Sequence, residues 1–195
     1  MEDLESRSLS YIREVKTVLT AMEKDFPPKM REIVAALTKA RNGRRRIYTL
    51  GNGGSASTAS HMASDLNKGA SRNDAPRFRA IALTDNMPTV LAWGNDSSYE
   101  DIFVEQLKNH LEKDDVVIAI SGSGNSMNVI RAVEYANKAG AVTIGLTGFD
   151  GGKLAKVASI CYAVPCKCMQ QVEDIHLLIE HMLSMTLRDS HECGM

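Results

Sequence analysis

Two short runs carry most of the chemistry open to this chain. Ile47-Tyr48-Thr49-Leu50, strand-length and β-rich, passes straight into Gly51-Asn52-Gly53-Gly54-Ser55, after which the small residues Ala56, Ser57 and Thr58 open a helix. Glycines let a backbone approach a ligand closely and take unusual φ values. A helix N-terminus adds unpaired N–H groups with partial positive charge, and Ser55 adds a hydroxyl. A phosphate dianion fits such a loop without a lysine. The pattern recurs where Val116 to Ile120 empties into Ser121-Gly122-Ser123-Gly124-Asn125-Ser126, ahead of an amphipathic helix from Met127 to Ala139. Its serines present several hydroxyl donors, with Ser126 at the N-cap position. Either loop alone reads equally well as a tight glycine- and serine-rich turn. Two of them at strand ends, where sheets of this kind bind ligands, point to a phosphate or phosphosugar. No Gly-Lys-Ser/Thr follows, which excludes a Walker A loop, and the Gly-x-Gly-x-x-Gly spacing of a dinucleotide fingerprint is missing.

The elements that must hold these loops follow from periodicity. Leu4 to Asp25 has apolar residues near helical spacing, Pro27-Pro28 interrupts, and Lys29 to Arg41 forms a second helix closing near Asn42-Gly43. We therefore expect an N-terminal helix pair. Beyond it lie short β-rich runs at 47–50, 80–83, 116–120, 142–146 and 160–164, separated by helical stretches. Five strands alternating with helices predict an α/β fold, a doubly wound five-stranded parallel sheet flanked by helices. A long last helix, about Met169 to Arg188, carries Ile175, Leu178, Ile179, Met182 and Met185. That stripe is wide enough for a subunit contact as well as a core face, and a purely intramolecular role stands beside it.

Bulk properties narrow the class. A chain of 195 residues with 44% hydrophobic content suits a single domain. Lys+Arg 23 against Asp+Glu 24 leaves a net charge of -1, so no overall field draws it to nucleic acid or an anionic membrane. Apolar runs are strand-length and the start, Met1-Glu2-Asp3, is acidic, so we expect neither secretion nor a membrane span but a cytoplasmic protein. Cysteines at 161, 166, 168 and 193 lack CxxC spacing and read as reduced, spectator thiols; Cys166 and Cys168 as metal ligands is the lesser reading.

Gly51-Asn52-Gly53-Gly54-Ser55-Ala56, His61, Ser121-x-Ser123-Gly124-Asn125-Ser126, and Leu146-Thr147-Gly148 with Asp150-Gly151-Gly152 together resemble the phosphoheptose isomerases of the SIS (sugar isomerase) family. The resemblance spans most of the chain, including Gly94-Asn95-Asp96 before a helix at Asp101 and the closing helix with His176 and His181. It implies one SIS domain over 1–195 and interconversion of sedoheptulose 7-phosphate with a heptose 7-phosphate through an enediol, serving heptose biosynthesis. It also implies a homotetramer with sites shared between subunits, and no nucleotide or redox cofactor. By position, Ser55, Ser121, Ser123 and Ser126 hold the phosphate, while Asn52, Gly53, Gly54 and Asp96 line the substrate. His181 matches the catalytic histidine and Asp65 stands where the family has a catalytic glutamate. Some members bind zinc through residues matching His61, Asp65, Glu173 and His181. Here aspartate replaces glutamate at 65, glutamate replaces glutamine at 173, and Gln170 stands where an acidic residue is expected.

Helical geometry bears on that set. His61 and Asp65, four residues apart, share one helix face and can meet one metal or one substrate. Glu173 and His181 are eight apart, about 12 Å of regular helix. Either Glu173 precedes regular helix or one ligand comes from another subunit. His176 and His181 are five apart, roughly 140° around the axis, so they cannot both face one small site; His176 is left an interface or hydrogen-bonded role. His110 and His191 read as surface residues, as do Arg44-Arg45-Arg46 and Lys68, although Lys68 can reach a sugar-phosphate oxygen. Two other readings remain: an isomerase of a different phosphosugar, and a non-catalytic phosphosugar-binding SIS module that regulates a partner.

Overall fold

The computed structural model describes residues 3–73 and 75–189; His191 and Cys193 lie outside them. Five strands, β1 (Ile47–Gly51), β2 (Ala80–Ala82), β3 (Val116–Ser121), β4 (Val142–Thr147) and β5 (Ile160–Ala163), form one parallel sheet in the order β2-β1-β3-β4-β5. Parallel neighbours require crossovers, and helices supply them on both faces. α1 (Leu4–Asn42), α2 (Gly54–Ser64) and α7 (Met169–Asp189) cover one face. α3 (Met87–Asp96), α4 (Val104–His110), α5 (Met127–Lys138) and α6 (Leu154–Val157) cover the other.

Side-chain alternation in the strands assigns residues to each face. On β3, Val116, Ile118 and Ile120 enter the α1/α2/α7 core, whereas Val117 and Ala119 enter the α4/α5 core. All six β3 residues are buried, as a central parallel strand requires. Each large aliphatic among them contributes roughly 1.5–3 kcal/mol by leaving water.

The expected N-terminal helix pair is a single 39-residue helix. Pro27 and Pro28 lie inside α1 and do not break it. The physical reason lies in the buried positions on either side: Val18, Met22 and Phe26 before the prolines, Ile33, Leu37 and Ala40 after them. Their spacing stays in helical phase across the prolines, so one continuous apolar stripe lies on the core. Phe26 also meets the Tyr162 ring at 4.7 Å, fixing the segment next to the prolines to β5. Tertiary packing thus outweighs two missing backbone donors.

Smaller shifts follow the same logic. Gly94-Asn95-Asp96 forms the last turn of α3, and the helix expected at Asp101 starts at Val104. On α7 the buried face is Val172, Ile175, Ile179, Leu183 and Leu187, with Leu178 and Met182 only partly covered and Met185 exposed. No helix of the described residues is long and apolar enough to cross a membrane.

In an unbroken α1, exposed Pro28 denies a hydrogen bond to the Lys24 carbonyl. Pro28→Ala should therefore raise unfolding free energy, by up to about 3 kcal/mol. Urea denaturation checks this, and an unchanged or lower stability would indicate a break at the prolines.

Candidate active site

The order β2-β1-β3 makes the C-terminal ends of β1 and β3 neighbours, while the chain leaves them toward opposite faces, α2 on one and α5 on the other. That divergence opens a crevice at the switch point of the sheet. A cavity of about 190 Å³ lies there, lined by Asn52, Ser55, Ser121, Gly122, Ser123, Ser126, Met169 and Glu173. All four serines named from the sequence meet in it. Asp96 does not line it, and its carboxylate accepts a hydrogen bond from Asn95 at 2.7 Å.

α2 begins at Gly54, two residues earlier than expected, so Ser55 lies in its first turn. Gly53, at φ 54, turns the chain into the helix with open space around it. Across the cavity, Ser126 caps α5 by position but makes no side-chain capping bond, so its hydroxyl is left for other partners. Ser121 donates to it at 3.3 Å. The two loops are tied by a reciprocal amide pair, Asn52 to Asn128 at 2.9 Å and Asn128 to Asn52 at 2.8 Å, with Tyr99 donating to Asn52 at 3.0 Å. Asn128 and Tyr99 were not singled out from the sequence; the signal for Asn128 is a polar residue on the buried side of α5's first turn.

Glu173 also faces this cavity. A Cβ placed on Gly54 would lie 2.6 Å from a Glu173 carboxylate oxygen, so that carboxylate rests against the N-terminus of α2. The helix end that favours a phosphate favours this anion too.

A second cluster sits where α2 ends against α7. Asp65 opens a π-helical turn, Asp65–Gly69, that continues α2. Such turns recur at functional sites because they re-aim side chains. His61 Nε2 lies 3.9 Å from Asp65 Oδ1, and the His61 and His181 rings meet edge-on at 5.0 Å. Ligand atoms of His61, Asp65, Glu180 and His181 all lie within 4.8 Å of one another. Three of the four metal candidates from the sequence thus converge within one chain. Glu173 is outside this group. It and His181 both lie in the regular helix α7, so the two-turn separation stands and leaves the other alternative, a ligand from another subunit; within this chain Glu173 faces the serine cavity.

Glu180, absent from the sequence reading, takes part in its place. Its side chain is 1% exposed, and neither carboxylate oxygen has a hydrogen-bond partner. Burial, with Asp65 beside it, pushes its carboxyl up to about 7. Two imidazoles and two carboxylates, with orphaned buried oxygens among them, fit a divalent cation.

His176 has the hydrogen-bonded role. It is 1% exposed, with Nε2 3.0 Å from the Thr147 carbonyl, pinning the end of β4 to α7. His110 is exposed at the end of α4. Arg45 and Arg46 pair with Glu112 at the strand N-termini, the end of the sheet remote from both clusters. Lys68 is exposed on the π-helical turn. The Cys166 thiol donates to Gln171 at 3.1 Å, and Cys161, Cys166 and Cys168 are free.

Comparison with known proteins agrees with this architecture. The SIS domain family model matches residues 10–148. Phosphoheptose isomerase of Rhodospirillum rubrum is 37% identical over 166 residues, covering 85% of this chain and 88% of that protein. The chain belongs to the phosphoheptose isomerase family. Among solved structures, the phosphoheptose isomerase of Neisseria gonorrhoeae superposes with a TM-score of 0.90 at 29% identity, covering 96% of this chain and 100% of that one. That of Francisella tularensis gives 0.89 at 27% identity, covering 96% and 99%.

Burial pushes the His176 imidazole down to about 4, only partly offset by the Thr147 carbonyl. The unfolded chain therefore takes up a proton near pH 6.5 that the folded one refuses until about 4. Stability should fall as pH drops through that window, by about 3 kcal/mol from this group. His176→Asn should flatten the dependence in urea unfolding; equal slopes in both proteins would contradict it.

Proposed function

We propose that this protein is a sedoheptulose 7-phosphate isomerase, interconverting that ketose with a heptose 7-phosphate. The observation that carries the reading is the convergence of Ser55, Ser121, Ser123 and Ser126 on one cavity, served by the same helix that ends at His61 and Asp65. The names of the relatives support the substrate.

In this mechanism the α2 N-terminus and the serine hydroxyls hold the phosphate, with hydrogen bonds to the charged group worth more than neutral ones. Ser55 and His61 are six residues apart, roughly 9 Å of helix rise, a span that an extended seven-carbon phosphate can bridge. The reactive end then lies at Asp65 and His181. Asp65 removes the proton from the carbon beside the carbonyl and returns it to the neighbouring carbon. His181 donates a proton to the carbonyl oxygen, where it stays, and is reprotonated by the hydroxyl of the adjacent carbon, which becomes the new carbonyl. His61, Asp65 and His181 would hold a divalent cation, zinc in our reading, which when bound polarises the carbonyl and adjacent hydroxyl oxygens.

Asp65 is one methylene shorter than the family's glutamate, so the substrate carbon must sit closer to the π-helical turn. Glu173 brings a negative charge into the phosphate cavity, opposing a dianion unless the side chain swings away. The homotetramer with shared sites is part of the proposal. It is supported by the first turns of α1, where Leu4, Leu9 and Ile12 are exposed and the first buried residue is Val18. The cytoplasmic assignment accords with the three free thiols.

Incubation with sedoheptulose 7-phosphate in deuterated water should place deuterium on the carbon next to the carbonyl; substrate recovered unlabelled, with no aldose formed, would refute the enediol route. Asp65→Asn and His181→Ala should keep phosphosugar binding and lower turnover about 10²–10⁴-fold, and undiminished turnover in either would remove that residue's role. Ser123→Ala should raise KM with little change in kcat, whereas Glu173→Gln should lower KM. An unchanged KM in both would separate this cavity from the substrate.

A further inference from the structure

We propose that Glu180 is a direct ligand of a divalent cation, completing with His61, Asp65 and His181 a centre built within one chain, in the place the family pattern gives to residue 173. The inference deepens the isomerase reading, on which the use of the cation rests, but binding of the cation can be measured without it.

The placement follows from α7. Residues 176, 180, 183, 184 and 187 lie on its buried face, so Glu180 points into the protein, while His181, one position on, stands at the rim with its side chain half exposed. From α2, His61 is similarly open and Asp65 more covered. The carboxylates therefore form the floor of the cluster and the imidazoles its mouth. Glu180 Oε2 is 3.4 Å from His181 Nε2.

On its other side Glu180 meets Leu37, Met62, Leu66 and Leu183, with Ser184 beside them. None of these donates to it, since both oxygens are without a hydrogen bond. A carboxylate in apolar surroundings without a donor costs several kcal/mol. Asp65, the other carboxyl of the group, lies against it, so two acidic side chains are packed into one small space. A dication offsets both charges at once, and two imidazole nitrogens with two carboxylate oxygens are a donor set suited to zinc and similar metals. Gly69 allows the close approach: a Cβ there would meet Ser184 Oγ at 3.0 Å and Asp65 Cγ at 3.4 Å, so a side chain at 69 would crowd α7 and Asp65.

Glu180 also answers the shortened side chain at 65. Where aspartate reaches less far than glutamate, a second carboxylate from α7 supplies oxygen to the same centre. Glu173, two turns earlier, is directed at the serine cavity.

The test uses the full chain stripped with EDTA, titrated with Zn²⁺ by calorimetry and with Co²⁺ by visible absorption. Wild type should bind one equivalent per chain. Glu180→Gln should weaken binding at least about tenfold and change the Co²⁺ spectrum, while Glu173→Gln leaves both unaltered. Glu180→Leu, similar in volume and suited to its apolar neighbours, should be at least as stable as wild type in EDTA yet fail to bind, which separates ligand loss from misfolding. No cation bound by wild type, wild-type affinity in Glu180→Gln, or loss of binding in Glu173→Gln would each overturn the proposal. A chain that binds the cation through Glu180 but does not convert sedoheptulose 7-phosphate would uphold it while sinking the isomerase reading.

Discussion

A dianion can be held without a lysine only where several neutral donors already point at one place before it arrives. In this protein that constraint is met by strand order. With β1 and β3 adjacent and their helices on opposite faces, two strand-to-helix turns must end side by side and then part. The gap between them is the serine-lined cavity, and the reciprocal Asn52–Asn128 pair keeps the turns in register.

The proposed mechanism also requires a fixed separation between the anchored end of a substrate and its reacting end. The element that would set it is α2, which carries Ser55 in its first turn and His61 in its last and passes directly into the π-helical turn that bears Asp65. α7 closes the arrangement from the side. It brings half-buried Glu173 to one cluster and buried Glu180 to the other, while His176 fastens the helix to the end of β4. One element therefore reaches both clusters, and brings an acidic residue to each, Glu173 and Glu180.

Much of this was legible in the residues. Strand-length β-rich runs and the paired glycine- and serine-rich turns gave the sheet and the anion cavity, because both depend on local pattern. Residues whose roles depend on tertiary placement were harder to see. Pro27-Pro28 looks like a helix end, and only the in-phase burial of Phe26 and Ile33 shows otherwise. Glu180 sits among leucines and isoleucines, where helical periodicity reads it as an interruption of an apolar stripe; its company with Asp65 requires the packing of α7 on α2. Asp96 was brought forward by family position alone, for the sugar chain, and it lies outside the serine cavity.

The central claim is that neutral donors at the β1 and β3 turns seat the phosphate so that the sugar's far end meets Asp65 and His181. A crystal structure with sedoheptulose 7-phosphate bound tests this most directly. The account predicts phosphate oxygens on the backbone N–H groups at the start of α2 and on the hydroxyls of Ser55, Ser121, Ser123 and Ser126, with the carbonyl carbon beside Asp65. Phosphate bound away from both turns, or a sugar whose carbonyl end points away from α7, would contradict it.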